Sequence, residues 1–255
     1  MLSEKSPVIL MYHGIVADHS FIPHEREIGA ELYDVFSQNF ESQMSWLKDR
    51  SYKVIIYSGD SERYAEKEIV ITFDDGERNN FENAFPVLNR FKFLAYFFVT
   101  INRINKPGYM NWEQLMELRD AGMLIGSHGL SHEILTTLKQ KHIERELIES
   151  KAILEMNLKI AVDTFSVPRG FYDQNILTLA KEAGYKKVFV SDKKDRDDFC
   201  LGRIAVKKNW DLKRFELALQ GNVPLNESLT NSVKGFAKKI LGGKGYDQLR
   251  NRLLK

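Results

Sequence analysis

"EIVITFDDGERNN", Glu68–Asn80, decides how this chain is read. Ile69–Phe73 is a short β-branched and aromatic run, the kind that forms a strand covered on both faces. It runs straight into two adjacent acids, Asp74 and Asp75, and then Gly76. Asp-Asp-Gly is a good turn, but two carboxylates at the end of a buried strand are costly unless something compensates them. The stretch therefore asks for a cation, and for partner ligands elsewhere in the sequence.

Outward from this run, similar stretches recur at Val8–Tyr12, Lys53–Tyr57, Leu94–Thr100, Leu124–Ser127, Thr164–Val167, Lys187–Val190 and Arg203–Val206. Helical patterns lie between them. "NFESQMSWLKDR" puts Phe40, Met44 and Leu47 on one stripe, and "NWEQLMELRDAG" does the same with Trp112, Leu115, Met116 and Leu118 before stopping at Gly122. "KHIERELIESKAILEMN" is long and amphipathic, and "DQNILTLAKEAGY" ends at Gly184. Strand–helix alternation of this kind predicts an α/β fold built on a parallel sheet or barrel. In a parallel barrel, strand ends and the loops after them build the site.

The 255 residues, 43% of them hydrophobic, suffice for one large domain of this type. The βα rhythm fades near Asn222. The predicted division is a barrel over residues 1–221 and a basic helical extension over 222–255. Within Asn226–Lys255 seven basic residues stand against two acidic ones. These helices suit packing on the barrel, and equally a membrane surface. The overall balance of 37 basic and 35 acidic residues gives no argument for a nucleic-acid partner. The lone Cys200 excludes an internal disulfide. The start, "MLSEKSPVILMYHG", lacks the apolar core and cleavage site of a signal peptide. The expected location is cytoplasmic, with peripheral contact at the inner membrane face; the oligomeric state stays open.

The missing ligands come from "IGSHGLSHEIL": His128 and His132, four apart, follow another short strand. On a helical turn such a pair shares a face and grips one cation. Two histidines and a carboxylate, with positions left open, form a catalytic divalent-metal pattern.

"TFDDG" (Thr72–Gly76) followed by "SHGLSH" (Ser127–His132) resembles the polysaccharide deacetylase family, the fourth carbohydrate esterase family. The resemblance, which spans Pro7 to Val206, implies a distorted (β/α) barrel; about seven parallel strands are expected, with the C-terminal helices packed on the barrel. It implies that Asp75, His128 and His132 bind the metal and that Asp74 is the general base. A third family motif, Arg-x-Pro-aromatic-Gly, has its counterpart in "FSVPRG" (Phe165–Gly170). Pro168 and Gly170 match, Ser166 replaces the arginine, and Arg169 replaces the aromatic residue. Pro168 and the Arg169 backbone N–H are in register to line the oxyanion site. The sequence leaves open what orients Asp74 without the motif arginine.

No histidine follows His142 to act as the late general acid, but "VILMYHGI" places Tyr12 and His13 at the end of the first strand. The branch that deacetylates poly-N-acetylglucosamine in bacterial biofilms carries such a segment. His13 is then the acid that protonates the leaving amine, and Tyr12 is expected beside the substrate. In a closed barrel the first and last strands are neighbours, so the permuted order is permitted. His19, His24 and His142 read as structural; Asp163 and Asp192 are lesser candidates to steer an imidazolium.

The implied reaction is metal-dependent hydrolysis of the acetamido group of a sugar, in a cell-surface glycan or its precursor. Zinc is the expected ion, with cobalt, nickel or iron also suited to these ligands. Two alternatives stand beside it: a C–N hydrolase of small non-sugar amides on the same fold, and a sugar-binding relative impaired by the change at Ser166.

Overall fold

The computed structural model describes residues 7–57, 67–191, 197–221 and 245. The chain runs β1 (Val8–Tyr12), β2 (Ile15–Val16), β3 (Val35–Phe36), α1 (Ser37–Asp49), β4 (Lys53–Val54), β5 (Glu68–Phe73) and α2 (Phe85–Phe91). It continues with β6 (Tyr96–Val99), α3 (Trp112–Asp120), β7 (Leu124–Ser127), α4 (Gln140–Leu158), β8 (Thr164–Ser166), α5 (Gln174–Glu182) and β9 (Lys187–Val190). The last described elements are β10 (Cys200–Gly202), β11 (Ile204–Ala205) and α6 (Leu212–Leu219).

The main sheet is parallel, in the order β10-β9-β8-β7-β6-β5-β1-β11, with β4 against the start of β5. Its two ends are consecutive pieces of one extended segment. Cys200 pairs with Val188 of β9, and Ile204 pairs with Leu10 of β1. That single segment therefore joins the last repeat to the first and curls the sheet into a barrel. Counting β10 and β11 as one broken strand, the barrel has the predicted seven positions, with β4 as an addition. Arg203 sits at the break.

Alternation along each strand divides the side chains between two faces. Ile9, Val70, Tyr96, Phe98, Phe189 and Leu201 fill the barrel interior. Leu10, Tyr12, Ile71, Phe73, Phe97, Phe165 and Val188 face outward, against residues of the surrounding helices such as Phe40, Met44, Leu115 and Leu147. Gly126 of β7 faces inward, where a Cβ would lie 2.5 Å from the Phe98 ring and 2.6 Å from Thr164 Oγ1. The interior closes there only because that position lacks a side chain.

The four helices expected between the strands formed, and α3 carries a reciprocal capping box between Asn111 and Gln114. Strand β4 is shorter than the predicted Lys53–Tyr57, and α2, α6 and the β2–β3 pair were not foreseen. Among the described residues no helix is long and apolar enough to cross a membrane. The extension expected over 222–255 lies, but for Gly245, outside the described residues.

Candidate active site

The period of two that builds the core also aims the chemistry. Val70 points inward, so Thr72 and Asp74 do too, and Asp74 stands one residue past the pairing of Phe73 with Tyr12. Its N–H donates to the Tyr12 carbonyl at 3.0 Å. His13 follows on the neighbouring strand, on the inward face set by Ile9 and Met11. The parallel ladder thus brings His13 beside the acidic pair, although some 60 residues separate them in sequence.

Tyr12 is the correction to this set. The same alternation turns it outward, where it is fully buried, stacks on Phe73 at 5.5 Å and donates its hydroxyl to Gln43 Oε1 at 2.8 Å. Its side chain belongs to the helix-facing core; only its carbonyl reaches the site.

Asp75, His128 and His132 converge, all buried, with their ligand atoms within 4.8 Å of one another. Asp75 Oδ1 lies 2.9 Å from His132 Nε2 and 3.5 Å from His128 Nε2. The backbone bends sharply to achieve this. Asp75 and His132 occupy the left-handed region at φ 73° and 63°; Gly76, next to Asp75, and Gly129, next to His128, lie there too at 74° and 77°. Non-glycine residues in that region are strained, and such strain concentrates at functional sites. The two histidines do not share a helical turn as the spacing suggested: residues 128–132 form a non-helical loop after β7.

That loop is held from behind by Glu146 of α4. Its buried carboxylate accepts the N–H groups of Leu130 at 2.7 Å and Ser131 at 3.1 Å and the Ser131 hydroxyl at 2.5 Å. A side chain at position 129 would collide with it, a Cβ there falling 2.9 Å from Glu146 Oε2.

Each imidazole has its far nitrogen engaged. His128 Nδ1 donates to the Ser166 carbonyl at 2.8 Å, and His132 Nδ1 meets Glu27 Oε1 at 2.5 Å. With each Nδ1 engaged in this way, Nε2 of each ring is the atom that faces Asp75 and would take up a metal. Burial pushes His128 down to about 4, against the upward pull of Asp74, so this ring is neutral and ready to coordinate. Burial raises the Asp75 carboxyl, but His132 and Arg103 outweigh it and hold it well below the usual range. Burial lowers His132, but Asp75 and Glu27 outweigh it and raise this ring, so a cation would displace its Nε2 proton. Two imidazole nitrogens and one ionised oxygen, buried and convergent, fit a divalent cation.

Asp74 has a different environment. Arg203 Nη1 and Nη2 each lie 2.8 Å from one of its oxygens, and Ser166 Oγ donates to Oδ2 at 3.2 Å while accepting from Arg203 Nη2 at 2.8 Å. Burial raises the Asp74 carboxyl, but the Arg203 charge and hydrogen bonds together with the neighbouring histidines outweigh it and keep it ionised. Arg203 answers the question left by Ser166. The guanidinium comes from the barrel-closing segment, and the small serine leaves room for it. It was visible in the sequence as the arginine that opens the strand run Arg203–Val206.

His13 is half-buried, with its carbonyl held by Asn80 Nδ2 at 2.5 Å and its ring 5.1 Å from that of Tyr33. Its charge acts on both Asp74 and Asp75. Pro168 is buried against the histidine loop, and Arg169 adopts φ 61° in the turn after β8, with Nη1 3.9 Å from Glu27 Oε1. Asp163 precedes β8, at the opposite end of the barrel, where it pairs with Lys186 at 2.6 Å; Asp192 lies outside the described residues.

Sequence reasoning missed the polar surroundings. Glu27 sits in a loop without regular pattern, and Arg103 follows β6. Arg103 donates to Asp75 Oδ1 at 3.0 Å and to Glu27 Oε1 at 2.7 Å. Beneath them Glu77, fully buried and pushed up to about 7 by burial, lies 2.8 Å from Arg26 Nε, which also grips Asp34 through its guanidinium.

The comparisons agree with this geometry. The family profile described as polysaccharide deacetylase matches residues 61–188, half of the chain. A candidate polysaccharide deacetylase of Bacillus subtilis, YxkH, is 27% identical over 78% of this chain and 70% of its own length. The poly-beta-1,6-N-acetyl-D-glucosamine N-deacetylase of Staphylococcus aureus is 25% identical, covering 82% of this chain and 84% of that protein. The crystal structure of a Bacillus cereus polysaccharide deacetylase superposes with a TM-score of 0.72 at 26% identity, over 85% of this chain and 69% of that one. The profile match covers the DDG strand end and both histidines, and the chain belongs to the polysaccharide deacetylase family.

Proposed function

We propose that this family member removes the acetyl group from an N-acetylated sugar of a cell-surface glycan or its precursor. The observation that carries the reading is the buried convergence of Asp75, His128 and His132 beside an ionised Asp74. A divalent ion held by those three ligands would supply Lewis acidity at the acetyl carbonyl; zinc fits the donor set best.

The chain's own groups divide the remaining work. Asp74, fixed by Arg203 and Ser166, takes a proton from the attacking water. The bond from that oxygen to the acetyl carbon forms as the carbonyl π bond opens onto its oxygen, and the C–N bond breaks when the carbonyl re-forms. His13 gives a proton to the departing sugar nitrogen, leaving acetate and a free amine. The Arg169 N–H, in the turn opened by Pro168, is assigned to the carbonyl oxygen as negative charge develops on it. An impaired binding protein was suggested only by Ser166, and Arg203 supplies what that position lacks.

The S. aureus relative's named substrate supports an N-acetylglucosamine polymer as the substrate class. The basic run in residues 226–255 supports a place at the cytoplasmic membrane face, where anionic lipid would attract it. The test is acetate release from N-acetylglucosamine oligomers and from lipid-linked acetamido sugars, with and without chelator, beside small acyclic amides. Chelator-sensitive release from the sugars is expected; release only from acyclic amides would overturn the reading.

A further inference from the structure

We propose that Glu27, on the N-terminal loop between β2 and β3, is a positioning residue for the metal site: it sets the tautomer and aim of His132. The proposal deepens the reading above and rests on it for the identity of the ligands. No β-strand carries Glu27, yet its carboxylate lies 2.5 Å from His132 Nδ1. Accepting a hydrogen bond from that nitrogen obliges the ring to keep its proton there, so Nε2 is the atom left to ligate.

The loop is anchored well enough to do this. Arg26, next in sequence, forks onto Asp34 and reaches buried Glu77. Lys106 pairs with Glu25 at 2.9 Å. Pro23 packs so closely on the turn after Arg103 that a Cβ at Gly108 would lie 2.7 Å from its ring. Between these anchors Arg103 donates to Glu27 Oε1 with one amino group and to Asp75 Oδ1 with the other, tying the loop carboxylate and the ligand carboxylate to one rigid plane. The barrel supplies the three ligands, while the loop fixes how two of them face each other.

The experiment compares the full chain with its Glu27→Gln variant by Zn2+ titration against a competing chelator, and by 15N NMR of the imidazoles in metal-free protein, followed upward in pH until the raised His132 has lost its charge. Glu27→Gln is expected to weaken Zn2+ binding by about 10- to 100-fold and to move His132 from the Nδ1–H form to a mixture of tautomers, with His128 unchanged. Wild-type affinity together with an unchanged His132 tautomer would overturn the proposal. Should Glu27→Gln fail to fold, Glu27→Asp gives the same reading, since it withdraws the carboxylate by one methylene: a smaller loss of affinity supports the role, and none overturns it. A wild-type chain that binds no divalent ion would instead sink the proposed function, and the tautomer of the metal-free protein would still report on Glu27.

Discussion

Arg203 forks onto Asp74, one amino group 2.8 Å from each carboxylate oxygen, with both residues buried at the top of the barrel. The pair links the closing segment of the barrel to the end of β5, so one contact serves closure and chemistry together. Its geometry predicts a graded response. Arg203→Met leaves a buried carboxylate without its partner, a change that costs about 3–5 kcal/mol. Urea unfolding will show this loss, and acetate release is expected to fall by at least about 100-fold, in line with the worth of a positioned base. Arg203→Lys keeps the charge but cannot span both oxygens, and is expected to fall between. Wild-type turnover in folded Arg203→Met would show that Asp74 does not depend on this partner.

Adjacent acids with different partners are expected to fail differently. Asp74→Asn removes the proton acceptor and leaves the ligand set intact, so turnover drops by about 10²–10⁴-fold while bound metal stays stoichiometric. Asp75→Asn removes a ligand, and metal content falls with activity. Elemental analysis of the two purified variants, beside the acetate assay, separates them; equal metal loss in both would merge the roles assigned here.

Glu146 predicts an effect from behind the site. Its carboxylate accepts three hydrogen bonds from Leu130 and Ser131 and touches no ligand directly. Glu146→Ala strands those buried donors, at about 1–3 kcal/mol for each group left unsatisfied. The melting temperature falls, and amide exchange at Leu130 and Ser131 accelerates. Because the loop carries both imidazoles, Zn2+ affinity falls too. A variant with normal metal affinity but a lowered melting point would confine Glu146 to stability.

These elements also show what a sequence discloses. The strand runs and the DDG and HGLSH stretches were legible because barrel strands are apolar throughout and ligands cluster at their ends. Tyr12 was misassigned because proximity in sequence was allowed to outweigh the alternation that Ile9, Met11 and His13 already displayed. Arg203 was legible in type but not in role, since only the closed barrel brings it to Asp74. Glu27, Arg103 and Glu146 were not legible at all. A loop carboxylate, an arginine after a strand and a helical glutamate are ordinary surface residues by pattern, and only tertiary packing buries them.

His13 yields the sharpest test of the mechanism. It ends β1 on the inward face, its carbonyl is fixed by Asn80, and its Nδ1 is buried with no hydrogen-bond partner among the described residues. A group placed to orient the acids alone would affect every substrate alike. A proton donor matters in proportion to how badly the leaving group needs the proton. His13→Gln should therefore lower turnover of an acetamido sugar by about 10²–10⁴-fold, because an amine anion is a very poor leaving group. Turnover of 4-nitrophenyl acetate, whose phenolate departs unaided, should fall far less, and Zn2+ content should hold. Equal losses on both substrates would remove the acid from His13 and leave it a positioning role beside Asp74.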